Sequence, residues 1–217
     1  EDFFVGREPT RVLLLAIGMA VLKEHPGHTI AAFTGAVPGA VVGDKCIALV
    51  AWELFAGVEL HRFGLQSVLL NLLEKTNIPV VATLLSKSVI RENHPLYMGI
   101  YEGAMGRDDV RKYVESSDCL ILLGALMTDI DLGVFTARLE QSRSIYVTSE
   151  KLLIRYHAYE DVKLEDFMDG LVKSDIRRRA DADIPHPPSP QHPEMVADRP
   201  VSVNYLFQCL NGFLDDD

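Results

Sequence analysis

The sequence is short of positive charge. Its 21 Lys and Arg face 31 Asp and Glu, for a formal net charge of -10. A phosphate backbone demands clustered cations, so this balance argues against nucleic-acid binding. The one basic run, Arg177-Arg178-Arg179, is cut short by Asp181 and Asp183 and reads as a solvated loop. Cysteine is sparse too. Cys46, Cys119 and Cys209 lie far apart, and none has a Cys or His partner at zinc-site spacing. An odd, scattered set points to buried thiols in a reducing compartment, hence to a cytoplasmic protein. No stretch reaches the roughly 18 to 20 apolar residues that span a bilayer. The longest candidate, Val12 to Leu22, follows an acidic start, Glu1-Asp2, where a secretion signal needs positive charge. It reads as a buried helix. Nucleotide motifs are missing as well. Gly35, Gly39 and Gly43 follow a strand-like run, Thr29 to Phe33, yet fit neither G-x-G-x-x-G nor the P-loop pattern. Glycines spaced by four serve close backbone packing.

What is present is apolar rhythm. The 217 residues are 48% hydrophobic, enough for one compact domain with tails or two very small ones. Pro9-Thr10 opens a helix that runs to Lys23 and stops at His25-Pro26-Gly27. Gln66 to Lys75 shows helical spacing, and Ile78 to Leu85 is an unbroken run suited to a strand buried on both faces. Arg107 to Ser116 reads as helix, Cys119 to Leu123 as strand, and Leu132 to Leu139 as helix. Ser144 to Val147 and Leu152 to Tyr156 read as strands, and Leu164 to Val172 as an amphipathic helix. Strands alternating with helices predict an α/β fold, a Rossmann-like parallel sheet with helices on both faces. The runs at 78–85 and 119–123 are expected side by side at its centre, pointing the same way.

Residues 175–200 hold Pro185, Pro187, Pro188, Pro190, Pro193 and Pro200 and read as a semi-rigid linker. Val201 to Phe213 then shows one apolar stripe, as in a helix that needs a partner. The expected division is an unplaced segment 1–45, an α/β domain 46–174, the linker 175–200, and the first helix of a following domain at 201–217.

Four segments resemble one family. These are Ala56-Gly57-Val58-Glu59-Leu60-His61-Arg62-Phe63-Gly64; Ile78 to Thr83 with Lys87, His94-Pro95-Leu96-Tyr97 and Gly99; Tyr101-Glu102-Gly103 through Ser116-Ser117-Asp118 to Leu123-Gly124-Ala125 and Thr128-Asp129; and Ser144-Ile145-Tyr146. In that order they resemble the central domain of thiamine-diphosphate-dependent 2-oxo acid decarboxylases of the pyruvate/indolepyruvate type. The resemblance covers residues 55–172. It implies a lyase that converts pyruvate, indolepyruvate or phenylpyruvate to an aldehyde and CO₂. It implies thiamine diphosphate and magnesium held by flanking domains, and assembly as a dimer or tetramer. The chain has no Gly-Asp-Gly motif for the diphosphate, so alone it is expected to be inactive, with no catalytic residue and no metal ligand. Its partners would be the flanking domains and a small 2-oxo acid, not nucleic acid or membrane.

Glu59, His61 and Arg62 follow a strand directly, where open α/β sheets bind ligands. Arg62 is suited to a bidentate carboxylate contact, or with Glu59 to interdomain salt bridges. Asp129 follows another strand, as a cap or as part of a ligand pocket. His94 and His157 read as structural. The alternative function is a free-standing module that binds a nucleotide or a 2-oxo acid and regulates a partner.

Overall fold

Trp52–Ala56 form β1, and every one of its side chains is buried. The structure is a computed structural model that describes residues 52–174, 176, 178–188 and 200–214. The helix expected at 12–23, the strand at 29–33 and the glycine-rich loop at 34–43 lie outside the described residues. From β1 the chain enters the short helix α1 (Val58–Arg62) and then α2 (Gln66–Thr76). Asn77 ends α2 in the left-handed region, φ 57°, with its N–H on the Leu73 carbonyl. That geometry suits Asn at a helix C-terminus.

The remaining elements are β2 (Val80–Ala82), β3 (Tyr97–Ile100), α3 (Asp108–Glu115), β4 (Cys119–Leu123), β5 (Ser144–Val147), β6 (Lys151–Ile154), β7 (His157–Glu160) and α4 (Leu164–Lys173). The strands form one seven-stranded sheet in the order β3-β2-β1-β4-β5-β6-β7. The first five strands in that order run parallel. At one edge β6 and β7 run antiparallel as a hairpin. The α/β sheet with helices on both faces is therefore present, as a mixed sheet. One expectation is corrected. β2 and β4 point the same way, but β1 lies between them.

Both faces are apolar because helices cover both. On one face α2 and α4 pack Leu69, Leu72, Phe167 and Leu171 against Leu54, Ile121, Val147 and Leu152. On the other, Val110 and Val114 of α3 meet Phe55, Val81, Met98 and Leu120. Burying each such side chain is worth about 1.5 to 3 kcal/mol. Phe55 and Tyr101 meet edge to face, with ring centroids 5.3 Å apart. Cys119, opposite Trp52 in the central pairing, is fully buried, and burial pushes its thiol up to about 12.

Three expected elements come out differently. The strand of the 78–85 run is only Val80–Ala82. It ends where Thr83 and Ser86 cap each other's backbone and open a 3₁₀ turn. The helix at Leu132 to Leu139 is absent. Gly133, Val134 and Phe135 all take positive φ there, which a right-handed helix cannot contain. Arg179 overturns the solvated-loop reading of its basic run, for it is buried. Its guanidinium donates to the Trp52 carbonyl at 2.8 Å and to the Tyr113 hydroxyl at 3.0 Å, and lies 3.7 Å from the Glu53 carboxylate. Arg178 donates to the Asn77 side chain at 3.1 Å, and Ile176 and Ile184 are buried. This part of the proline-containing segment is packed down.

The described residues fall into two compact units, which divide between His186 and Pro187. In the second, α5 (Val203–Phe213) starts at Ser202, whose hydroxyl accepts from the Tyr205 N–H at 3.2 Å. Leu206, Phe207 and Phe213 are exposed on it.

Glu53 is 1% exposed, and one carboxylate oxygen has no hydrogen-bond partner. Burial pushes its pKa up to about 7, although Ser117 and Arg179 pull it back. A raised pKa means that the folded state binds the proton more tightly. Stability from Glu53 is then complete below about pH 4.5 and lost as pH rises through about 7. Relative to Glu53→Gln, the wild-type chain should lose on the order of 2 to 3 kcal/mol across that window. Urea unfolding of both proteins at pH 4.5 and pH 8 measures it; parallel pH profiles would contradict it.

Candidate functional site

In an open α/β sheet, ligands gather at the carboxyl ends of the strands where the strand order reverses. That point lies between β1 and β4. Here it is filled with backbone. The Gly57 N–H donates to the Leu123 carbonyl at 2.9 Å, and the Glu59 N–H donates to the Gly124 carbonyl at 3.1 Å. The Gly124 N–H donates to the Val147 carbonyl at 2.7 Å. A Cβ on Gly57 would stand 2.1 Å from the Gly124 carbonyl oxygen. Gly124 has φ +60°, and a Cβ there would stand 2.7 Å from that of Glu59. Neither position has room for a side chain.

Glu59, His61 and Arg62 sit together on α1, just past this crossing. The Glu59 carboxylate accepts from the Ser149 N–H and the Ser149 hydroxyl, each at 2.8 Å. Ser149 lies in the turn between β5 and β6, so Glu59 ties two carboxyl-edge turns together. His61 is exposed, with Nδ1 2.8 Å from the Gln66 amide nitrogen. Arg62 is exposed at the end of α1. Asp129 belongs to the loop after β4. It too is exposed, and its carboxylate accepts from the Ile130 N–H at 3.0 Å. His94 accepts from the Leu96 N–H at 3.1 Å, which fastens its own loop.

One carboxylate at this edge was missed. Asp131 is fully buried. One oxygen accepts from the Thr128 hydroxyl at 2.9 Å, and the other has no partner. The Thr-x-x-Asp spacing was the available signal, since such side chains bond local backbone in turns. The loop is locked by Gly133, where a Cβ would stand 2.1 Å from the Glu102 carbonyl oxygen.

Residues 53–164 match the family model described as thiamine pyrophosphate enzyme, central domain. The chain belongs to this family. Among its relatives, indole-3-pyruvate decarboxylase of Azospirillum brasilense is 28% identical over 120 residues. The match covers 55% of this chain and 22% of that protein. Pyruvate decarboxylase isozyme 2 of Saccharomyces cerevisiae is 31% identical over 104 residues, covering 48% of this chain and 18% of the relative. An alpha-keto-acid decarboxylase of Mycobacterium leprae is 27% identical, covering 70% and 27%. The chain thus spans less than a third of the length of these relatives. Benzoylformate decarboxylase from Polynucleobacter necessarius superposes with a TM-score of 0.55 at 19% identity, over 77% of this chain and 32% of that one. This last likeness shows the fold.

The described residues of this central domain do not fit a diphosphate with its divalent cation. Such a group needs free N–H donors and hard oxygen ligands at fixed positions. The N–H groups of Gly57, Glu59 and Gly124 are already bonded to carbonyls. The Glu59 carboxylate stands beside the same turn and would repel an anion. Among the described residues, no three His, Cys, Asp or Glu gather into a metal-binding set.

The Gly57–Gly124 contact makes a prediction. Gly57→Ala must push two strand ends apart, at a cost of about 3 kcal/mol or more. Chemical denaturation of the purified variant checks it, and a loss under about 1 kcal/mol would contradict the contact.

Proposed function

We propose that the chain is the central domain of a thiamine-diphosphate- and magnesium-dependent 2-oxo acid decarboxylase. The parent enzyme would convert pyruvate, indolepyruvate or phenylpyruvate to the aldehyde and CO₂, without net oxidation. The observation that carries this reading is the family match over residues 53–164 on a domain whose own carboxyl edge is sealed. The cofactor supplies the electron sink for such chemistry, and the protein must position it. A domain that offers it no diphosphate cradle leaves that task to flanking domains.

In this reading the domain boundaries are those given above: 46–174 for the central domain, 175–200 for the linker, and 201–217 for the opening of the next domain. Because Ile176, Arg179 and Ile184 are buried, the free span of the linker would begin after them. Arg62, His61 and Asp129 are exposed at the carboxyl edge and would meet the flanking domains, with Arg62 as the ion-pairing group. Glu59 would instead hold the edge in shape through Ser149. The parent would work in the cytoplasm as a dimer or tetramer. No helix among the described residues is long and apolar enough to cross a membrane.

The test has two arms. The 217-residue chain, given thiamine diphosphate, Mg²⁺ and each of the three acids, should release no aldehyde above the cofactor-only rate. It should also give no heat on titration with thiamine diphosphate. The same chain joined to its flanking coding sequence should turn over at least one of the acids. Aldehyde release by the chain alone, or an inactive and well-folded longer protein, would sink the reading.

A further inference from the structure

The crossover from β4 to β5 should carry a helix in a doubly wound sheet. Among the described residues it carries only irregular chain and a 3₁₀ turn, Gln141–Arg143. The positive φ values at Gly133, Val134 and Phe135 are the reason. The face of β4, β5 and β6 beneath it is left with a cavity of about 410 Å³. That volume falls within the roughly 300 to 1,000 Å³ typical of small-molecule sites. Its apolar wall is Leu122, Met127, Leu132, Leu139 and Leu153.

One cation lines this apolar space, Arg155. Its Nε–H is buried and has no hydrogen-bond partner. That atom is closed to solvent and does not itself open on the cavity, but it shows that the fold leaves this guanidinium incompletely paired. The backbone makes the same point. Arg155 opens the two-residue turn between β6 and β7, where Ile154 faces His157. It holds φ 56°, a conformation that hairpins give to Asn or Gly. Its N–H is pinned to the Ser144 carbonyl at 2.9 Å, and its carbonyl accepts from the Gln141 side chain at 3.0 Å. An arginine kept in a strained position, fixed at both ends and lining a cavity, fits a ligand contact better than a turn requirement.

We propose that this cavity binds a small carboxylic acid with an apolar body. The carboxylate meets the Arg155 guanidinium, and an aryl or branched-alkyl body fills the leucine-lined space. A single guanidinium edge matches a planar monoanion, as bidentate arginine contacts do. The site is separate from the carboxyl-edge residues and does not depend on the decarboxylase reading.

Titration of the full ¹⁵N-labelled chain with phenylacetate tests it. Saturable amide shifts are expected at Gln141, Leu153 and Arg155. The uncharged 2-phenylethanol should bind about tenfold more weakly, the loss expected for one charge-assisted contact. Phenylpyruvate, run in parallel, shows whether a 2-oxo group is read as well; binding of either acid upholds the site. Arg155→Asn should weaken phenylacetate about tenfold while raising the melting temperature by about 2 °C, because Asn accepts the turn's positive φ. Leu132→Trp, which fills the cavity from a half-buried position, should abolish saturation and covers the case in which Arg155→Asn fails to fold. Absence of saturable shifts, or equal affinity for phenylacetate in the wild type and Arg155→Asn, overturns the proposal. No readout involves decarboxylation, so its failure leaves the decarboxylase reading standing.

Discussion

The molecule is organised around one close approach of backbone to backbone, where the turn after β1 crosses the turn after β4. Two glycines make it possible, and the N–H donors of Gly57 and Glu59 are consumed in making it. Because β1 is drawn against β4 there, the two strands run in register from Trp52↔Cys119 to Ala56↔Leu123. That register puts alternate side chains of both strands into the two helix-covered layers. It also decides what the carboxyl edge can do. A turn whose amides already face carbonyls has little left to offer an anionic group. The Glu59–Ser149 contact extends the seal to the turn between β5 and β6.

The opposite end of β1 is closed by charge. Glu53 and Arg179 face each other at 3.7 Å in a place that water barely reaches. Buried ion pairs add little net stability, because desolvation offsets most of the attraction. Their value is selective. The path of residues 178–184 brings Arg179 to the Trp52 carbonyl, the Tyr113 hydroxyl and Glu53 together. Asn77 reinforces that path, since its side chain donates to the Arg179 carbonyl at 3.2 Å and to Asp181 at 3.0 Å.

Much of this was legible in the sequence, and the failures have physical causes. The strand at Cys119–Leu123 and the helices near Gln66–Thr76 and Leu164–Lys173 stood out because burial imposes a clear apolar pattern on each. β3 was invisible: it has four residues, includes Gly99, and directly follows a loop. β7 was invisible for the opposite reason, since its side chains are mostly exposed and carry no pattern. Leu132 to Leu139 has helical spacing, but local turn bonding at Thr128 and Asp131 and the glycine at 133 bend the chain away. The basic run was misread because the partners of Arg179 lie far earlier in the chain, at Trp52, Glu53 and Tyr113. No local window contains them. Glu59, His61 and Arg62 were placeable from the strand-to-helix turn alone. Nothing in the pattern announced Arg155, whose interest lies in a backbone angle and an absent helix.

Cys119 sits where β1 and β4 meet. Its sulfur is sealed in the layer between the sheet and the helices that cover it, and its proton is held tightly. An oxidant or a disulfide partner therefore has no route to it in the intact domain. Damage at this thiol would record that this layer had already opened.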